Sequence, residues 1–197
     1  MAGVEEDDAL LQRASAGERA AFAQLRDALR APVRHFTYRL LSNAADCFEA
    51  VDEIEQDVFF ALHRNLARVQ SAEHLRPFVY RVCRNLCYDL MRKQASRRTR
   101  PLEVDVPGAC ALPALAAPDD GIAWAILYGE VQRTIDRLPY RQRVALILYA
   151  EEGLSYEQIA EATRTDLGTV KWRIFYGRKR LRRFLRPDLL EALGLSG

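Results

Sequence analysis

The chain has 197 residues, 49% of them apolar, and carries a formal net charge of +2. That length accommodates one or two small domains with enough apolar side chains for a core in each, so a folded globular protein is expected. No apolar run approaches the roughly 20 residues of a membrane span, and residues 1–11 are acidic where a secretion signal would be basic, so no membrane insertion and a cytoplasmic location are expected.

Helical periodicity dominates, and strand alternation is scarce. Over residues 8–41 the apolar positions Leu10, Leu11, Phe22, Leu25, Leu29, Val33 and Phe36 recur at steps of three, four and seven. Gly17 and Pro32 break them, and the stretch reads as two helical pieces. A helix over residues 47–66 follows, with Val51, Ile54, Val58, Leu62 and Leu66 in one stripe. Opposite the stripe lie Glu53, Gln56, Asp57 and Phe60, an aromatic rimmed by acidic and polar groups, which is how a helix docks on a protein partner. The next helix, residues 72–94, is predicted to bury Leu75, Val79, Val82, Leu86 and Leu90. It sets Arg81, Arg84, Tyr88 and Arg92 on one face with Asn85 beside them, an interleaving of basic and aromatic groups that suits single-stranded nucleic acid. These helices can pack as one domain.

Charge follows the same division. Residues 1–66 hold 7 basic and 12 acidic groups, whereas residues 67–100 hold 9 and 2. The sign alternates again beyond, with 5 basic against 11 acidic groups over residues 101–166, then 8 basic and no acidic groups over residues 167–186. Two basic blocks far apart in sequence suggest two footprints on one polyanion.

Between residues 95 and 120 the periodicity stops among Pro101, Pro107, Gly108, Pro113 and Pro118, which predicts a flexible, semi-extended linker. Some 25 residues at about 3.3 Å each could reach roughly 80 Å, so the domains on either side can sit well apart. Helices resume with Trp124, Leu127, Val131, Ile135 and Leu138, and Pro139 starts another over residues 140–150, which Gly153 is placed to end. Ser155-Tyr156-Glu157-Gln158 opens a short helix with a capping box. After a polar turn, Asp166 can cap a long helix whose predicted buried stripe is Leu167, Val170, Ile174, Gly177, Leu181 and Leu185. A short helix, a turn and a longer basic helix make a helix-turn-helix. The last helix is predicted to turn Thr169, Lys171, Trp172, Arg173, Phe175, Tyr176, Arg178 and Lys179 outward, where they can meet base edges and phosphates in a major groove.

The four cysteines, Cys47, Cys83, Cys87 and Cys110, form no CxxC pair, and no His lies near them at zinc-ligand spacing. They read as buried or free thiols. No catalytic constellation, metal site or cofactor site is visible, so no enzyme is expected. An ordinary helix-turn-helix regulator would use the C-terminal half and leave the acidic strip and the first basic helix without a role.

Taken together, the motifs resemble the extracytoplasmic-function sigma factors of the sigma-70 family, over residues 8–185. Val51-Asp52-Glu53-Ile54-Glu55-Gln56-Asp57-Val58-Phe59 is similar to the core-binding segment of sigma region 2. Phe78-Val79-Tyr80-Arg81-Val82-Cys83-Arg84-Asn85, with Asp89 and Arg92, is similar to the segment that melts and reads the −10 promoter element. Leu138-Pro139, Arg143, the Ser155 to Ala160 segment and Gly168-Thr169-Val170-Lys171 through Arg173 resemble region 4, which reads the −35 element. The resemblance implies an all-α protein of two small helical domains: region 2 at residues 8–95, a linker at 96–120, and region 4 with its helix-turn-helix at 121–186. It implies binding to core RNA polymerase through the largest subunit's clamp helices, by Asp52, Glu53, Gln56, Asp57 and Phe60, and through the flap region. Arg81, Arg84, Asn85, Tyr88 and Arg92, with the loop of Ser71 and His74, would engage the non-template −10 strand. Promoter DNA and an anti-sigma factor are expected partners, and no cofactor or metal is. Promoter elements in this family lie about 50–65 Å apart at ~34 Å per turn, within the linker's reach.

Two positions depart from the family pattern. Thr163-Arg164-Thr165 stands where Leu-Gly-Ile is common, so either a non-glycine holds a left-handed position or the turn takes another form. Trp172 replaces a small hydroxyl residue on the reading face.

Overall fold

The computed structural model describes residues 2–42, 47–69, 71–97 and 121–185. Among these all regular structure is helical. The first unit comprises α1 (Ala2–Ser15), α2 (Arg19–Leu41), α3 (Cys47–Asn65), a 3-10 turn (Leu66–Arg68) and α4 (Ala72–Arg97). The second comprises α5 (Gly121–Asp136), α6 (Tyr140–Ala150), α7 (Tyr156–Thr163) and α8 (Leu167–Phe184). Residues 98–120 of the expected linker, Cys110 and residue 186 lie outside the described residues, as do the side chains of Trp124 and Leu127.

The predicted break at Gly17 is present, at φ +93, with the Arg13 and Glu18 side chains paired across the corner. The predicted break at Pro32 is not: α2 runs through it to Leu41. A proline inside a helix removes one backbone hydrogen bond and costs ~3 kcal/mol. Here Leu29, Val33, Phe36 and Leu40 around it are all buried, and each buried side chain of that size contributes ~1.5–3 kcal/mol, so packing outweighs the local defect.

In the first core Val51, Ile54, Val58, Leu62 and Leu66 are all buried, as their spacing predicts. On α4 the inward face is rotated from the expected one. Leu75 and Val79 are buried, but Tyr80, Cys83 and Cys87 fill the centre while Val82, Leu86 and Leu90 are only partly covered. The reason is space, since Phe36 of α2 meets Tyr80 edge to face at 5.0 Å and leaves room beyond it for small thiols. In the second unit Val144, Ala145, Ile147 and Leu148 of α6 form a core with Val170, Ile174 and Leu181 of α8, closed by Ile159 and Ala162 of α7. The Ser155 capping box is formed in full, with Gln158 N–H on Ser155 Oγ at 3.2 Å and Ser155 N–H on Gln158 Oε1 at 3.0 Å. The two units, which the linker would allow to separate, are packed against each other: α7 lies along α4, and α6 against α2.

Candidate nucleic-acid interface

The start of α8 is fixed by Asp166, whose carboxylate accepts from Thr169 N at 2.7 Å and from Thr169 Oγ1. Those bonds hold the carboxyl below its ordinary range, so the cap is ionised at neutral pH. Before it, Arg164 sits at φ 50, ψ 52: a non-glycine does hold the left-handed position. Thr163 Oγ1 donates to Ile159 O at 2.7 Å and lies 2.8 Å from Thr165 Oγ1, which closes the turn locally.

Turned outward from α8 are Lys171, Trp172, Phe175, Tyr176 and Lys179. Trp172 is 54% exposed, with its ring 4.6 Å from that of Tyr176, and Phe175 meets Tyr176 edge to face at 5.3 Å. Thr169 is half-buried at the helix start, and Arg178 is half-buried with its guanidinium 5.0 Å above the Tyr149 ring. Arg173, expected to face outward, is only 9% exposed, beneath Thr165 Oγ1 at 3.4 Å. It stands three residues after Val170 and four before Gly177, both buried, and so falls on the flank of the core stripe.

On α4, Tyr88 and Arg92 are exposed, as is Asn85, whose Oδ1 accepts from Arg84 Nη2 at 2.7 Å. Arg92 faces Asp89 at 3.9 Å. Arg81 is half-buried with its guanidinium 5.0 Å over the Phe78 ring. Burial first, and then neighbouring arginines, lower the Arg81 and Arg84 pKa values: Arg164 acts on both, Arg173 on Arg84 alone. Ser71 is half-buried, its carbonyl accepting from His74 N–H at 3.1 Å. The exposed His74 lines a cleft of about 270 Å³ with Arg68, Val69, Phe78 and Arg81.

On α3, Asp52, Glu53, Gln56, Asp57 and Phe60 are exposed, the last 63% exposed with the Arg64 guanidinium 5.6 Å from its ring. Arg34 of α2 pairs with Asp52 and, at 2.6 Å, with Glu55, which braces the strip from beneath. One acidic surface and two basic, aromatic ones are thus carried by three helices.

Sequence reasoning missed the polar groups where the two units meet, above all Glu151 and Glu152 after α6 and their partners Arg39, His35 and Tyr80. Lone polar residues at such separations leave no periodic signal. Arg143, singled out only by resemblance, is buried and ion-paired with Asp136 at 3.4 Å. Among the described residues no group of His, Cys, Asp and Glu could hold a metal, and no helix is long and apolar enough to cross a membrane.

Comparison with known proteins agrees with this division. The family model for sigma-70 region 2 matches residues 25–97, and that for sigma-70 region 4 matches residues 128–181. The RNA polymerase sigma-H factor of Pseudomonas aeruginosa is 29% identical over 196 residues, covering 95% of this chain and 98% of its own. The ECF RNA polymerase sigma factor SigM of Mycobacterium tuberculosis is 32% identical over 182 residues, covering 92% and 86%. Among solved structures, the sigma factor RpoE of Bartonella quintana, crystallised with the anti-sigma factor NepR, superposes with a TM-score of 0.67 at 23% identity, over 85% of this chain and 98% of that one. CnrH in complex with the cytosolic domain of CnrY gives 0.63 at 22%, over 94% and 97%. These structural likenesses bear on the fold. With two ordered region matches and a relative above 30% identity over nearly its whole length, the chain belongs to the extracytoplasmic-function sigma factors of the sigma-70 family, alternative sigma factors that direct promoter-specific transcription.

Proposed function

We propose that this sigma factor is a non-catalytic cytoplasmic subunit that joins core RNA polymerase through α3 and contacts promoter DNA through α4 and α8. The domains run over residues 8–95 and 121–186, with residues 96–120 as the connection threaded between the two DNA sites. The observation that carries the reading is the separation of chemistries: an acidic strip with the exposed Phe60 on α3, and basic, aromatic faces on α4 and α8. Asp52, Glu53, Gln56, Asp57 and Phe60 meet the clamp helices of the largest subunit, and region 4 lies beside the flap. Arg81, Arg84, Asn85, Tyr88 and Arg92, with Ser71 and His74, hold the unpaired −10 strand, so melting draws on binding energy available only in the open state. Thr169, Lys171, Trp172, Phe175, Tyr176, Arg178 and Lys179 read or flank the −35 major groove, and Arg173 supports that helix from its buried flank. The complexes solved for the structural neighbours support an anti-sigma factor as a further partner.

The test is titration of purified core polymerase with wild-type protein and with the double variant Gln56→Ala, Asp57→Lys, followed by run-off transcription on a genomic promoter library. Both positions are in solvent, so helicity stays intact while core binding is lost. Unchanged affinity for core would overturn the clamp assignment.

A further inference from the structure

A cleft of about 480 Å³ opens at one end of the seam between the two units, lined by residues of α4, the first turn of α6 and the start of α8. That volume falls within the ~300–1,000 Å³ of small-molecule sites. Three of its walls are aromatic: Tyr88, Tyr140 and Trp172. Tyr140 is held in place by its hydroxyl, which donates to Arg84 O at 2.7 Å, and its ring lies 5.5 Å from that of Tyr88. Tyr88 remains 51% exposed and Trp172 54%, so both rings keep surface for a further planar group.

The rest of the lining is basic and polar. Arg141 and Arg173 belong to it, and among the described residues no carboxylate does. Arg173 is 9% exposed, with the Thr165 hydroxyl 3.4 Å from its Nη1. Burial, and next the Arg141 charge, lower the Arg173 pKa, and Asp166 opposes them by less. Two guanidinium groups that repel one another in a half-enclosed site are relieved by an anion lying between them. The first turn of α6 works in the same direction, since it holds no acidic residue and its N-cap, Pro139, makes no side-chain bond across it. Gln142, in that turn, is 6% exposed, and its Oε1 accepts no hydrogen bond. A buried acceptor without a donor is costly, and a ring N–H in the cleft is the donor it lacks.

We infer that this cleft binds a free purine nucleoside diphosphate, with the base against Trp172 and Tyr88, an N–H of the base on Gln142 Oε1, and the phosphates between Arg141 and Arg173. An inorganic anion would answer the two cations alone, and an uncharged aromatic compound the rings alone. A nucleotide brings the planar ring, the N–H donor and the charge in one molecule. The fused rings of a purine can cover two aromatic walls at once, and two phosphates match two guanidinium groups.

The full chain with Trp124→Phe, which leaves Trp172 as its one tryptophan, is titrated with GDP and with ADP by calorimetry and by quenching of indole fluorescence. At least one of them should bind at a single site with a Kd below ~1 mM and quench Trp172. Pyrophosphate and the matching nucleoside should each bind at least ~10-fold more weakly. Arg141→Gln, at an exposed position, should weaken the nucleotide ~10-fold or more. Gln142→Met should weaken it ~3- to 10-fold and leave pyrophosphate binding unchanged, a distinction that a merely structural role would not produce. Circular dichroism confirms that each variant is helical. Neither heat nor quenching up to ~1 mM of both nucleotides would overturn the site, as would nucleotide binding that Arg141→Gln leaves undiminished. Equal affinity for pyrophosphate would reduce it to a bare anion site and overturn the nucleotide. Arg141-dependent binding of a short random single-stranded DNA, with neither free nucleotide bound, would also overturn it and assign the cleft to a strand.

Discussion

Trp172→Ser separates reading from folding on the recognition helix. The indole is half in water, while Val170 and Ile174, which fix the buried side of α8, are fully enclosed. Its contacts are the Tyr176 ring and the edge of a cleft shared with Tyr88 and Tyr140. An aromatic pair is worth ~0.5–1.5 kcal/mol, and its exposure places this one at the low end, so the melting temperature should fall by only on the order of 2 °C. At the −35 element the same substitution removes a bulky group from the groove, changing discrimination at the affected base pair by ~1–3 kcal/mol, or ~5- to 150-fold. Selection of −35 variants by holoenzyme at fixed salt reads the preference, with Lys179→Ala as the contrast: loss of a phosphate contact weakens all sequences alike and lowers the salt slope by about one. A preferred sequence unchanged by Trp172→Ser, together with severe destabilisation, would refute the register of the recognition helix.

Alanine at Arg81, Arg84, Asn85 or Tyr88 should impair initiation on duplex promoters and recover in part on templates with a pre-melted −10 bubble; equal impairment on both would assign these residues to folding or general phosphate binding. Burial pushes the Cys83 thiol up to about 12 and Cys87 well above its usual range, and Cys47 is buried, so at about pH 8 a disulfide reagent should modify at most one of the four cysteines until denaturant is added. Rapid modification of two or more in the native protein would contradict that core.

How far the sequence foretold the molecule depended on the kind of signal each part leaves. The α3 stripe was legible because a helix with one buried face repeats its apolar residues at helical spacing, and the same repeat placed Asp57 and Phe60 in solvent. The caps at Ser155 and Asp166 were legible because capping is a local bond between near neighbours. Pro32 misled because local propensity yields to packing on both sides. Arg173 misled because periodicity does not settle a residue on the border of a stripe. Cys83 and Cys87 were recognised as thiols but not as the centre of a core, which depends on the shape that Phe36 and Tyr80 leave between them. The seam was illegible: Tyr80 and Glu152, or Arg39 and Glu151, meet across the fold with no pattern linking them in the chain.

Arg164 gives the turn of the helix-turn-helix a further meaning. A left-handed backbone costs an L-residue ~1–2 kcal/mol, and this arginine adds a charge that opposes Arg81 and Arg84 across the seam. Glycine there would remove both penalties and make the fold more robust. At this turn the most durable sequence is therefore not the one the chain carries.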